Sequence, residues 1–141
     1  MNIIVGLTSR PESHAALDRA IEEARLRSAT LHVVRTLGDG LSENPARNQA
    51  WATQTEQARK TGEELVARLA AEGVDAQFRI EPIARDAAST LLGVARELDA
   101  GLLVIGLRRR SPVGKLVLGS VSQDILLHAD CPVLAIKVPD H

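Results

Sequence analysis

Between Gly106 and Ser120 lie four cations, Arg108, Arg109, Arg110 and Lys115, and no acid, in a chain of 141 residues with 17 basic and 18 acidic side chains. An apolar run, Leu102-Leu103-Val104-Ile105-Gly106, leads into this stretch, and Gly119-Ser120 opens a helix at its far end. The chemistry such a pattern suits is anion capture. Guanidinium and ammonium groups donate charge-assisted hydrogen bonds to phosphate oxygens, and a helix start offers backbone N–H groups and the positive end of its dipole. On this reading Ser120 is the N-cap, Gly119 lets the backbone come close, Gly106 permits a sharp exit from the strand, and the whole fits a di- or triphosphate. The competing reading is a solvated basic loop followed by an ordinary helix start. Arg10, Arg35 and Arg85 follow other strands and belong on the same edge, offset in part by Glu43 and Glu81.

The elements that must position these residues alternate in period. Five apolar runs read as strands: Asn2 to Gly6, Thr30 to Thr36, Asp75 to Ile80, Gly101 to Gly106 and Pro132 to Val138. They are near-continuous in Val, Ile and Leu, as parallel strands covered on both faces are. Four helical stripes alternate with them: Leu17, Ala20, Ile21 and Ala24; Gly62, Leu65, Val66 and Leu69; Ala88, Leu91, Leu92 and Ala95; and a short one from Ser120. Ser9 with Glu12, and Ser120 with Gln123, have capping-box spacing. Asn44-Pro45 and Asp86 start the middle helices, and Gly73 stops the second in a left-handed conformation. The expected architecture is α/β: a single domain over residues 1–141, an α/β/α sandwich with a five-stranded parallel sheet of order 3-2-1-4-5, Rossmann-like. The long connections, Leu37 to Asn44 and Leu107 to Leu118, both follow strands and project from one sheet edge.

Composition narrows the function classes. A net charge of −1 argues against a general nucleic-acid binder, and one cysteine, Cys131, permits no intrachain disulfide. Cys131 begins an apolar strand and reads as an inert, buried thiol. No apolar run reaches the roughly 20 residues of a membrane span, and the first residues lack the pattern of a secretory leader, so a cytosolic location is expected. Gly114-Lys115 is not a P-loop, since Leu116 stands where Ser or Thr should follow. His14, His32, His128 and His141 lack metal-ligand spacing, and Trp51 and Phe78 are the only aromatics. No nucleophile, base and oxyanion set assembles, so the expectation is a binding protein and not an enzyme.

Gly106, Gly119 and Ser120, followed by the run from Leu127 through Pro132 to Ile136, resemble the C-terminal signature of the universal stress protein family, whose motif is Gly, two residues, Gly, nine residues, Gly, then Ser or Thr. The middle glycine of that motif is Arg109 in this chain. The segment from Ile4 to Ser13 resembles the family's first strand and turn, with Thr8 where the family carries Asp. The resemblance implies an adenine nucleotide (ATP, ADP or AMP), with Leu7 and Thr8 bordering base or ribose and Val33 meeting the base through its backbone. Gly106, Arg108, Arg109, Gly119, Ser120 and Val121 would surround the phosphates. Arg109 either fills the space a glycine leaves open or reaches a phosphate in place of a metal. The resemblance also implies a homodimer, and the apolar last strand, Pro132 to Val138, is the expected seam. A dimeric scaffold that binds no nucleotide is the alternative, and a nucleotide-handling enzyme of the same architecture ranks last.

Overall fold

The computed structural model describes residues 1–8, 10–38, 43–83, 85–108 and 118–138, with the Arg108 side chain excepted. In chain order the elements are β1 (Asn2–Leu7), α1 (Pro11–Arg27), β2 (Thr30–Leu37), α2 (Pro45–Ala71), β3 (Ala76–Pro82), α3 (Ala87–Glu97), β4 (Leu102–Arg108), α4 (Ser120–His128) and β5 (Val133–Val138). The five strands form one sheet of order β3-β2-β1-β4-β5, as the sequence predicts, and every pairing is parallel.

Strand period assigns the two faces. Ile3 and Val5 of β1, Leu31 and Val33 of β2, and Leu102 and Val104 of β4 point to one side, where Leu17, Ala20 and Ile21 of α1 and Leu69 of α2 close the core. Ile4, Val34, Leu103 and Ile105 point to the other, against Leu91, Leu92 and Ala95 of α3 and Ile125 of α4. With both faces covered, Ile3 to Val5 of β1 and Leu102 to Ile105 of β4 are apolar without a break, while β2 buries His32 within its run. Packing of α2 on β3 is close at Gly62, where a Cβ would lie 2.2 Å from the Phe78 ring.

Helix ends follow local chemistry, with two departures from expectation. Asn44 accepts from the Ala46 N–H (2.9 Å) ahead of Pro45, and Asp86 accepts from the Ser89 N–H (2.7 Å) and hydroxyl (3.0 Å). Gly73 takes φ +82 just past the end of α2. By contrast, α1 begins at Pro11 with Arg10 at the N-cap and no side-chain cap, and Ser9 of the expected capping box lies outside the described residues. Pro11 is pre-set for the first helical position and fixes the start there. In α4 the N-cap is Gly119, not Ser120, so the expected Ser120–Gln123 capping box does not form.

Helix α2 is long for the sheet it covers. Its 27 residues extend about 40 Å, against roughly 20–26 Å for strands of six to eight residues. Only Gly62 and Leu69 of α2 are buried, so the half that follows Pro45 runs past the carboxyl edge of the sheet. There the Trp51 indole N–H donates to the Gly38 carbonyl (2.8 Å), a packing role. Among the described residues no helix is long and apolar enough to cross a membrane.

Candidate functional site

The winding of the sheet reverses between β1 and β4, and reversals of this kind open a crevice at the carboxyl ends of the two strands. One wall is the turn from β1 into α1. Ser13, buried in the first turn of α1, accepts from the Thr8 N–H (2.7 Å) and donates to the Gly6 carbonyl (3.2 Å). The Thr8 hydroxyl in turn accepts from the Arg10 N–H (3.2 Å). Three short bonds thus fix the backbone path that leaves the central strand.

The floor is β4, where Gly106 pairs with Ile136 and lies so close to α1 that a Cβ would meet the Glu12 carbonyl oxygen at 2.0 Å. This corrects the expected role of Gly106 as a sharp exit, because β4 continues to Arg108. Its missing side chain makes room for α1. The opposite wall is the start of α4. The Gln123 N–H is the first to reach an intrahelical carbonyl, that of Gly119 (3.0 Å), so the N–H groups of Ser120, Val121 and Ser122 precede the helical ladder. A Cβ on Gly119 would have nothing within 4 Å, and its φ of −70 is open to any residue. Among the described residues, nothing fills the space in front of Gly119.

These walls enclose a crevice of about 450 Å³ that Thr8, Gly106, Gly119, Ser120 and Val121 line together. Arg10 and Glu12 face each other across its rim at 3.9 Å, which leaves the helix start of α4 as the main source of positive potential among the described groups. Of the loop cations, Arg109, Arg110 and Lys115 lie outside the described residues, as does the Arg108 side chain. No cluster of His, Cys, Asp and Glu suited to a metal occurs among the described residues.

Two expected site residues stand elsewhere. Val33 is fully buried in the middle of β2, paired with Val5 and Phe78, and lines no part of the crevice. From β2 it is Thr36, nearer the strand end, that does. Leu7 faces a second hollow of about 460 Å³ beneath the overhang of α2, and Thr8 borders both spaces. Sequence reasoning missed Ser13, Thr36 and Ser122. For Ser13 the signal was present, a small hydroxyl in the first helical turn directly after a strand. Cys131 is half-buried against the second core, where burial and then Asp130 push its thiol up, in keeping with an unreactive role.

Comparison with known proteins is decisive on ancestry. The sequence profile described as the Universal stress protein family matches residues 1–137. The chain belongs to the universal stress protein family. A universal stress protein of Mycolicibacterium smegmatis is 40% identical over 138 residues, covering 96% of either chain. The structure of a universal stress protein from Archaeoglobus fulgidus is similar at 32% identity and a TM-score of 0.75, over 97% of this chain and 98% of that one. A universal stress protein of the same organism, solved in complex with dAMP, is similar at 27% identity and a TM-score of 0.68, over 97% and 98% of the two chains. The family and the sheet order agree with the resemblance carried by Gly106, Gly119 and Ser120.

Proposed function

We infer that this universal stress protein binds an adenine nucleotide in the crevice between β1 and β4, and that it acts through the bound state and not through turnover. The observation that carries the reading is the unladdered start of α4. Three successive backbone N–H groups precede the helical ladder at Ser120, Val121 and Ser122 beside the open space at Gly119, an arrangement suited to phosphate oxygens. The family relative solved with dAMP supports the adenine nucleotide as the ligand class. Thr8 and Gly106 form the remaining contact surface, and the run Arg108 to Arg110 brings three positive charges into the sequence just after Gly106.

Calorimetric titration of ATP into the protein and into Gly119→Val tests this. Because the added side chain enters open space, the expected result is a loss of affinity with little change in melting temperature. Equal affinity in both proteins, or no heat at millimolar ATP, refutes nucleotide binding at this place.

A scaffold that binds no nucleotide is the second reading, and one observation favours it. The Thr8 hydroxyl, where the family carries a carboxylate, is engaged in holding the Arg10 N–H. In either reading the protein is a homodimer seamed along β5, an edge strand that pairs only with β4 among the described residues. Sedimentation velocity of a Leu134→Asp, Ile136→Asp pair would not isolate the seam, since both side chains pack on the core. The exposed Lys137→Pro change does, by blocking edge pairing.

A further inference from the structure

The hollow beneath the overhang of α2 carries a second site. Its floor is apolar, from Leu7 and Phe78, Arg35 and His14 stand at its walls, and Ala58 and Gln57 of α2 face it from above. Among the described residues no Asp or Glu lines it. Arg35 is half-buried, and its Nη1 donates to the Leu7 carbonyl at 3.1 Å. That bond fixes the guanidinium at the carboxyl edge, and among the described residues no carboxylate comes within 4 Å of it. Arginines elsewhere in the chain are different: Arg19, Arg25, Arg27, Arg59, Arg79 and Arg96 each hold an acid. A planar cation that is partly desolvated, anchored by one edge and, among the described residues, not paired with a carboxylate has donors to spare for an oxyanion.

We propose that this hollow binds a small organic oxyanion, a carboxylate or phosphate monoester on a flat apolar body, with Arg35 as the anion anchor and Leu7 and Phe78 as the surface for the body. The site is separate from the crevice between β1 and β4. Only Thr8 is common to the two linings, and the hollow opens between α1 and α2, on the other side of the sheet from α3 and α4. Its volume of about 460 Å³ suits a ligand of a dozen or so heavy atoms.

The test is ¹H–¹⁵N NMR of the whole chain titrated separately with phenyl phosphate, benzoate and benzyl alcohol. Saturable shifts at Leu7, His14, Arg35 and Gln57 are expected with one or both anions and not with the alcohol. Binding of phenyl phosphate alone assigns the site to phosphate esters, and binding of benzoate as well assigns it to oxyanions at large. Since Arg35→Gln also removes the bond to Leu7, the cleaner variant is Gln57→Glu, at an exposed position of α2. It places a carboxylate in the hollow and weakens anion binding about tenfold, the worth of one charge-assisted contact. Shifts confined to Ser120, Val121 and Ser122, equal binding of benzyl alcohol, or an unchanged Kd in Gln57→Glu overturns the proposal. ATP titration of the same sample reports at Ser120 to Ser122, so failure of either site is read independently of the other.

Discussion

Replacing Gly106 by alanine isolates the contact that sets β4 against α1. The new Cβ would sit 2.0 Å from the Glu12 carbonyl oxygen and 2.6 Å from its carbon. Comfortable carbon–oxygen contacts lie near 3.3 Å, so α1 or β4 must move by about 1 Å. The obstacle is helix backbone, not a side chain that can swing away. Overpacking of this kind costs about 1–3 kcal/mol, and a backbone obstacle points to the upper end. At about 3 kcal/mol the melting temperature falls by roughly 6–12 °C for a chain of this size. Gly93→Ala is the internal control: it lies on the exposed face of α3 with nothing within 4 Å, and it should gain about 0.5–1 kcal/mol from helix propensity. Urea unfolding followed by far-ultraviolet circular dichroism and by the fluorescence of Trp51, the one tryptophan, gives both values and checks two-state behaviour. Gly106→Ala within about 0.5 kcal/mol of the parent would show that β4 and α1 are not held in this register.

Other expectations are as specific. Ser13→Ala strands the Thr8 N–H and the Gly6 carbonyl and should cost about 1–3 kcal/mol in the same urea experiment. His32, buried with its Nε2 3.0 Å from the Asn2 side-chain oxygen, has its pKa lowered from 6.5, chiefly by burial and then by Arg79, with Asp75 opposing. A lowered folded pKa means that the unfolded chain takes up the proton first. Stability is thus full above about pH 6.5 and falls as pH drops toward the folded value, and His32→Gln should flatten the urea midpoint between pH 7.5 and 5.5. The Asp86 carboxyl is held low, first by the Ser89 N–H and then by its hydroxyl. Its capping contribution is present above the ordinary aspartate range and lost as pH falls through the depressed value, so Asp86→Ala lowers the melting temperature at neutral pH and narrows the gap in acid.

The sheet order and both faces of the core were legible because the central strands are apolar at nearly every buried position while each helix keeps a single stripe. Caps were legible only in part. Asn44 and Asp86 carry the signal in the side chain itself, and both perform as expected. The Ser120–Gln123 pair has the same spacing but fails, because Gly119 takes the capping position. At α1 the start is set by the ring of Pro11. The site was legible through its glycines and Ser120. Val33 came from the family resemblance and not from the strand pattern, which does not reveal which residue of Leu31 to Leu37 sits between two neighbouring strands and which stands at the open end. That distinction depends on the register with Val5 and Phe78, which no local pattern encodes. Ser13 escaped for a related reason: its two bonds reach back across a tight turn, and spacing alone carries no sign of them.

The overreach of α2 has a consequence for how the molecule breathes. Its last turns are welded to the sheet through Gly62 and Leu69, while its first turns bury no residue of their own. Opening of the leading half should therefore be a local excursion, with the amides of residues 48–58 exchanging with deuterium well before those of 65–71, which wait for wider unfolding. The roof of one hollow is then a soft part of the described fold, and the entry route for whatever lies beneath it needs no disturbance of the core.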